Sequence, residues 1–402
     1  MRHIVTPCQQ IEVVRGRVSH PSIEKDPMAR RRYSRSRSRR SSRRGFSSGG
    51  LGRLEAFVVV AILVGVGYAL VRGHVSLPKV SAAPSTSTSA SAAPAAPASG
   101  AAAGNGSAFV FATSSSEPTI YNFINSATSS IDMTMYELSD STAVNDLIAK
   151  QKAGVPVKVI LDQKEKSTNQ SDFNALQSAG VGIVWSSTTF QYTHQKTITI
   201  DNKESLILTG NLTSSYYTTT RDYGFFDNDA NDVAAIVAVF NADYAHTSIT
   251  ASDADDLLWS PNTAQSRMLS VINGATKTLD VEGEEFSDSA IVNAVAARAK
   301  AGVAVRVVIE SPSQYSSEVK TIVSAGGKVS GYSSSTGLYI HGKAIIADAG
   351  QSDQTLQMGS MNMTAASLDQ NRELGIILHD GADVTTVENQ FSSDFTGGTP
   401  QS

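Results

Sequence analysis

The chain has 402 residues, of which 41% are hydrophobic, and a formal net charge of −4; that length holds two average domains, or one large domain with extra segments. Its single cysteine, Cys8, excludes an intrachain disulfide and a cysteine-built zinc site. The small net charge hides an asymmetry: residues 1–53 carry 14 Lys/Arg against 3 Asp/Glu, whereas residues 107–402 carry 17 against 33, a formal −16, and so acidic a body is a poor match for the basic surface on which non-specific nucleic-acid binding depends.

Residues 1–53 form a basic arm, with Met28 as a second candidate start and a Ser/Arg run over 30–44 that cannot bury a core and is expected to be disordered. An apolar segment, 54–72, follows, and its residues 56–71 carry no charge. That is the short end of what spans a bilayer. The arginines before it place its N-terminal side in the cytoplasm and the rest of the chain outside. It is read as an uncleaved signal anchor, with a cleaved signal peptide and a buried core helix as alternatives; Ser42 to Phe46 also resembles a twin-arginine export signal. The catalytic part is then expected on the extracytoplasmic side, periplasmic or at the cell surface, or secreted if the segment is removed. Residues 73–107, rich in Ala, Pro and Ser, read as a disordered linker.

From residue 108 the sequence repeats itself. Ile131 to Ser141 aligns with Leu279 to Ser289 at an offset of 148, which also pairs Gly154 with Gly302 and Asp162 with Glu310. This period suits a duplicated domain, with halves 108–259 and 260–402. Each half predicts an extended segment (130–136; 278–282), a helix capped by Asp140 or Ser141 in the first half, and a C-terminal glycine, Gly154 or Gly302. Buried strands at 157–161 and 305–309 follow, then a second helix ending at Gly180 or near Gly326, then a strand. Alternating strands and helices imply an α/β layered fold with a parallel or mixed sheet.

That last strand carries the most informative residues. Tyr192, His194, Lys196 and Asp201 match Tyr339, His341, Lys343 and Asp348, and each copy is followed by Asn-x-Thr, at Asn211 and Asn362. Histidine and lysine two apart on a strand share a face. Asp201 and Asp348, an odd number of residues beyond lysine, point to the other face and are assigned structural roles, Asp201 in a hairpin turn.

This pattern resembles the phospholipase D superfamily, whose members pair two His-x-Lys-x4-Asp motifs across a pseudo-twofold axis. The resemblance covers about residues 108–395. The extended family pattern, Gly-Ser-x-Asn, is met by Gly359, Ser360, Met361 and Asn362, with extra residues placed in a hairpin at 350–355. In the first half Leu208, Thr209, Gly210 and Asn211 stand there instead, so leucine replaces the glycine of a close backbone approach. The resemblance implies two α/β sandwich repeats and an enzyme that cleaves phosphodiesters. One neutral histidine attacks phosphorus, and the other protonates the leaving oxygen and later activates water. It favours His194 as the nucleophile and His341 as the acid, with the reverse assignment left open by the symmetry of the two motifs. Lys196, Lys343, Asn211 and Asn362 then clamp the phosphoryl oxygens, Thr209 and Ser360 add hydroxyl donors, and Asp222 and Glu373 orient the histidines from the opposite half. No metal or other cofactor is called for.

The expected function is an exported phosphodiesterase of the phospholipase D type, giving phosphatidic acid and a head-group alcohol. A metal-independent nuclease, a transphosphatidylase and a non-catalytic binding protein are the alternatives. The expected partners are a phospholipid or other phosphodiester and a membrane at 54–72; nucleic acid enters only as substrate, and no oligomer is required. Glu282, Glu284 and Glu285 are read as a pocket rim or solvated turn, His246 and His379 as surface or capping residues. Tyr216, Tyr217 and Tyr223 either line a cleft or pack the domain, and Trp185 and Trp259 are assigned to packing.

Overall fold

A computed structural model of the chain describes residues 106–111, 116–333 and 335–402. The basic arm, the apolar segment and nearly all of the linker lie outside these residues. Among the described residues no helix is long and apolar enough to cross a membrane.

The first half runs β1 (Ser107–Phe111), a helix (Glu117–Ser126), β2 (Ile131–Met135), a helix (Ser141–Lys152), β3 (Val157–Leu161), a helix (Lys166–Ser178), β4 (Gly182–Trp185), β5 (Thr197–Ile200), β6 (Glu204–Leu208), β7 (Thr220–Asp227) and a helix (Ala230–Tyr244). The second half repeats the plan: β8 (Leu257–Ser260), a helix (Ala264–Gly274), β9 (Thr278–Gly283), a helix (Ser289–Lys300), β10 (Ala304–Glu310), a helix (Ser316–Ser324) and β11 (Lys328–Tyr332). It continues through β12 (Tyr339–Ile340), β13 (Ala344–Ala347), β14 (Thr355–Gly359), a short helix (Ala365–Asp369), β15 (Glu373–Leu378), the helix Gly381–Gly397 and β16 (Thr399–Gln401).

Two mixed sheets result. One is ordered β1-β7-β6-β5-β2-β3-β4, with β12 also paired to β7; the other is β16-β11-β10-β9-β13-β14-β15-β8. Within each, the strands separated by helices are parallel (β2–β3, β9–β10) and the hairpin-connected strands antiparallel (β5–β6, β13–β14), as connection length requires. β2, with the sequence Ile-Asp-Met-Thr-Met, is buried along its whole length. Asp140 caps the helix Ser141–Lys152 by accepting from Thr142 N and Ala143 N, and Asp288 caps its counterpart through Ile291 N. Both helices end before glycines of positive φ, Gly154 and Gly302, as the sequence predicts.

Helices of each half cover the outer face of its own sheet and form two apolar cores. A third core lies between the halves, where Ile207, Tyr223 and Phe225 meet Met358, Leu374 and Ile376, and the helices Ala230–Tyr244 and Gly381–Gly397 contribute Ile236, Val239, Val387 and Phe391. The duplicated halves are thus joined by a continuous hydrophobic interface.

One expectation is corrected. The two His-x-Lys triplets do not lie on strands but in irregular backbone just before β5 and β13. His194 N and Gln195 N donate to Arg372 O, and His341 N donates to Arg221 O. The opposite half therefore draws each triplet out of its own ladder.

Asp201 and Asp348 have φ of 55° and 54°, where aspartate is better tolerated than most residues. The Asp201 carboxylate accepts from the N–H groups of Thr128, Ser129 and Ser130 at 2.6–3.0 Å; that of Asp348 accepts from Thr276, Lys277 and Thr278 at 2.6–2.9 Å. Each pins the chain entering the central strand, β2 or β9. Against the effect of partial burial, the Thr128 hydroxyl and these N–H groups hold the Asp201 carboxyl well below the usual range. Replacing Asp201 by Asn keeps the backbone conformation but removes the charge, and it is expected to cost about 1 kcal/mol at neutral pH, the exposed part of the network being replaced by water. Because the folded state lowers this pKa, the difference from wild type is complete above the ordinary carboxyl range and shrinks as the pH falls through and below it. Denaturant unfolding of both proteins between pH 2.5 and pH 7 checks this.

Candidate active site

Both His-x-Lys triplets open toward the junction of the halves. His194 Nδ1 is 2.8 Å from Glu373 Oε2, and His341 Nδ1 is 2.7 Å from Asp222 Oδ1. Each carboxylate comes from the opposite half and starts or follows the first residues of its strand, Glu373 on β15 and Asp222 on β7. The carboxylates are 0% and 2% exposed. Against burial, the partner histidine holds each of them below the usual range. A carboxylate on Nδ1 fixes the tautomer that leaves Nε2 as the reactive nitrogen.

Support for these pairs also crosses the junction. Arg372, preceding Glu373, accepts from the first triplet through its carbonyl and pairs its guanidinium with Asp243 at 2.9 Å, at the end of the helix Ala230–Tyr244. Arg221, preceding Asp222, does the same for the second triplet and pairs with Asp394 at 2.6 Å. Glu373 Oε1 accepts from Ser367 Oγ and Asn371 Nδ2, and Asp222 Oδ1 accepts from Thr209 Oγ1 at 2.7 Å. Ser367 and Asn371 escape the motif reading because they lie outside the repeated stretches.

Lys196 and Lys343 are almost wholly buried, at 1% and 0% exposure. Each Nζ donates to the carbonyl of its own histidine. The Lys196 ammonium lies 5.0 Å from the Tyr136 ring centroid, and Lys343 Nζ lies 2.9 Å from Glu284 Oε2. Burial, and then the charge of Lys343, lower the Lys196 pKa to about 7. Burial and the charge of Lys196 also lower His194. Asn211 Nδ2 donates to Glu137 at 3.3 Å. The side-chain oxygens of both Asn211 and Asn362 are buried with no hydrogen-bond partner among the described residues.

Several readings are revised. Thr209 is fully buried, and its hydroxyl is committed to Asp222 Oδ1 and Tyr223 N; Ser360 is fully buried against the Leu374 backbone. Both hydroxyls therefore support the carboxylate strands rather than facing a substrate. Leu208 pairs with Gly224 and Gly359 with Gly375, and a Cβ at Gly359 would lie 2.4 Å from the Gly375 Cα. Glu282 and Glu284 form no solvated turn: Glu282 is fully buried and accepts from Tyr223 Oη, and Glu284 lies among Lys343, His341 and Tyr339. Tyr217 and Tyr223 pack and hydrogen-bond inside, whereas Tyr216 is 45% exposed. Trp259 is buried, and Trp185 stacks on Phe173. His246 bonds the Trp185 carbonyl, and His379 the Gln354 carbonyl, both in exposed positions.

The geometry accords with the comparisons. Residues 120–244 and 268–395 each match the family model described as "Cardiolipin synthase, PLD-like domain". No curated protein matches the sequence. Among solved structures, the polyphosphate kinase from Porphyromonas gingivalis is 13% identical with a TM-score of 0.57, over 72% of this chain and 50% of that one; the chain thus spans about half that kinase's length. The phosphatidylserine synthase of Haemophilus influenzae Rd KW20 is 12% identical with a TM-score of 0.56, over 73% of this chain and 87% of that one. At such identities the likeness is one of fold. The matches of both halves to one domain model, with a histidine and lysine from each half at the junction, establish that the chain belongs to the phospholipase D superfamily and carries two PLD-like domains.

Proposed function

We propose that this chain is a phosphodiesterase of the phospholipase D type, which hydrolyses phospholipids to phosphatidic acid and a head-group alcohol on the extracytoplasmic side of a membrane. The observation that carries this reading is the crossed arrangement in which each histidine is held by the other half's carboxylate. That arrangement leaves Nε2 as the reactive nitrogen of each histidine, one to attack and one to transfer a proton in a displacement at phosphorus.

In this reading His194 attacks, since burial and Lys196 keep it neutral, and its N–P bond replaces the P–O bond to the head group. The His341 Nε2 proton passes to the leaving oxygen. Water then attacks phosphorus, gives its proton to His341 and restores His194. Lys196, Lys343, Asn211 and Asn362 supply positive charge and donors to the equatorial oxygens, so this mechanism asks nothing of a metal. The acidic body and the apolar segment 54–72 favour a lipid over a polyanionic nucleic acid. The matched domain description, which names cardiolipin synthase, makes transfer to an alcohol the chief competitor.

The full-length chain in mixed micelles is expected to release head-group alcohol from phosphatidylcholine or phosphatidylethanolamine, and to go on doing so in EDTA. His194→Ala and His341→Ala should each reduce turnover by at least about 1,000-fold. Cleavage of single-stranded DNA alone overturns the lipid reading; a phosphatidyl-alcohol product with no phosphatidic acid overturns hydrolysis; complete loss in EDTA overturns the metal-free mechanism.

The profile of kcat/KM against pH should be bell-shaped. Its acidic limb lies below the ordinary histidine range, because His194 must be neutral and its pKa is lowered. The alkaline limb includes the loss of the Lys196 charge at about 7. Lys196→Arg keeps the charge at every accessible pH, so it is expected to move that limb upward even though kcat falls.

A further inference from the structure

The lysines of the two half-sites are furnished differently. Tyr136 directly follows β2 and Glu284 directly follows β9, and the bridges just beyond them, Leu138 to Leu212 and Phe286 to Met363, set the two positions in register. In the first half Lys196 has its own histidine's carbonyl and the Tyr136 ring, whose hydroxyl donates to Glu165 instead. In the second half a carboxylate stands in the place of that ring. Glu284 Oε2 is 2.9 Å from Lys343 Nζ and 3.5 Å from His341 Nε2, and Glu284 Oε1 accepts from Tyr339 Oη at 2.7 Å.

The reaction set out above needs a phosphoryl oxygen on Lys343 and a leaving oxygen within reach of His341 Nε2. One oxygen of Glu284 already lies against both groups. We propose that Glu284 is a displaceable internal anion: it fills the second half's phosphoryl position before substrate binds, yields it to a phosphodiester, and returns to expel the phosphomonoester product. This rests on the phosphodiesterase reading and adds what the site admits. Small anions such as inorganic phosphate or sulfate are kept off Lys343, whereas a diester enters because contacts along the rest of the molecule offset the displacement. Near neutral pH a phosphomonoester carries a second, partial negative charge that a diester lacks, so the returning carboxylate opposes the product more than the substrate.

The surroundings suit a group that is held and can still leave. Lys343 is fully buried, but Glu284 is only half-buried. Its other holder, Tyr339, is 41% exposed, stacks on His341 at 6.1 Å between centroids and has its backbone paired to β7. Moving the carboxylate outward therefore breaks one ion pair and one hydrogen bond and leaves the apolar cores closed. Glu137 and Glu285 both feel the Glu284 charge, and their repulsion favours its departure. Against burial, Lys343 and then His341 hold the Glu284 carboxyl well below the usual range, so it remains an anion able to compete for the lysine. Lys196, which has no such partner within its own half, offers the cationic contact at which an incoming phosphoryl group is received first.

Calorimetric titration of the full-length chain with inorganic phosphate, at fixed pH and ionic strength, tests this without turnover. Glu284→Gln is expected to tighten phosphate binding by about tenfold or more. Glu284→Asp keeps the charge but draws it back by one methylene, and it should tighten binding by about threefold or more; a carboxylate that only repelled anions from nearby would leave that variant like the wild type. Tyr339→Phe, which releases Oε1, should tighten binding by about threefold. Lys343→Met added to Glu284→Gln should abolish the gain. In turnover of a soluble phosphodiester, the inhibition constant of phosphate should follow the same order. Wild-type affinity in Glu284→Gln or in Glu284→Asp, a gain that survives Lys343→Met, or a failure of every variant to bind phosphate overturns the proposal. If the wild type turns over no diester, the phosphodiesterase reading fails, and the phosphate series still decides whether Glu284 holds the anion position.

Discussion

Everything at the junction depends on two hydrogen bonds that run crosswise, Glu373 to His194 and Asp222 to His341. Burying four such groups would be costly if any were left alone. The fold meets that constraint by giving every carboxylate oxygen-bearing group further donors: Ser367 and Asn371 for Glu373, Thr209 for Asp222. The same two strands bring Arg221 and Arg372, whose carbonyls hold the opposite motif backbone and whose guanidiniums reach the ends of the central helices. The hydrophobic interface between the halves keeps these groups in register, and the polar network specifies which register it is.

The lysines show how a site can be cationic and still stable without a ligand. Two buried ammonium groups near one another repel. Lys343 is compensated by Glu284, whereas Lys196 has mainly an aromatic face and its own histidine's carbonyl. The consequence is the lowered pKa of Lys196. An incoming phosphoryl group supplies the missing anion, so binding and protonation of Lys196 favour each other.

Much of this was legible in the sequence, because duplication repeats its own evidence. The 148-residue offset exposed both helix–strand units, and the matched distances from Asn211 to Asp222 and from Asn362 to Glu373 singled out the carboxylates. Legibility ended where the second half contradicted the first or where a partner came from far along the chain. The triplets looked like strand residues because His-x-Lys has a period of two; their backbone instead bonds to Arg372 and Arg221, 178 and 120 residues away for His194 and His341. Thr209 and Ser360 looked like substrate donors because their hydroxyls sit beside the motif asparagines, and only the packing shows where those hydroxyls are spent. Glu284 was visible as a member of an acidic cluster and as the counterpart of Tyr136, but not as a carboxylate within reach of Lys343 and an imidazole.

The fusion of the two domains in one chain has a further consequence. A pair of identical subunits must place the same residue at both symmetry-related positions, so any charge added beside one imidazole is added beside the other. A single polypeptide is free of that restriction. Tyrosine at 136 and glutamate at 284 are a broken symmetry that one chain can encode and two copies of one domain cannot.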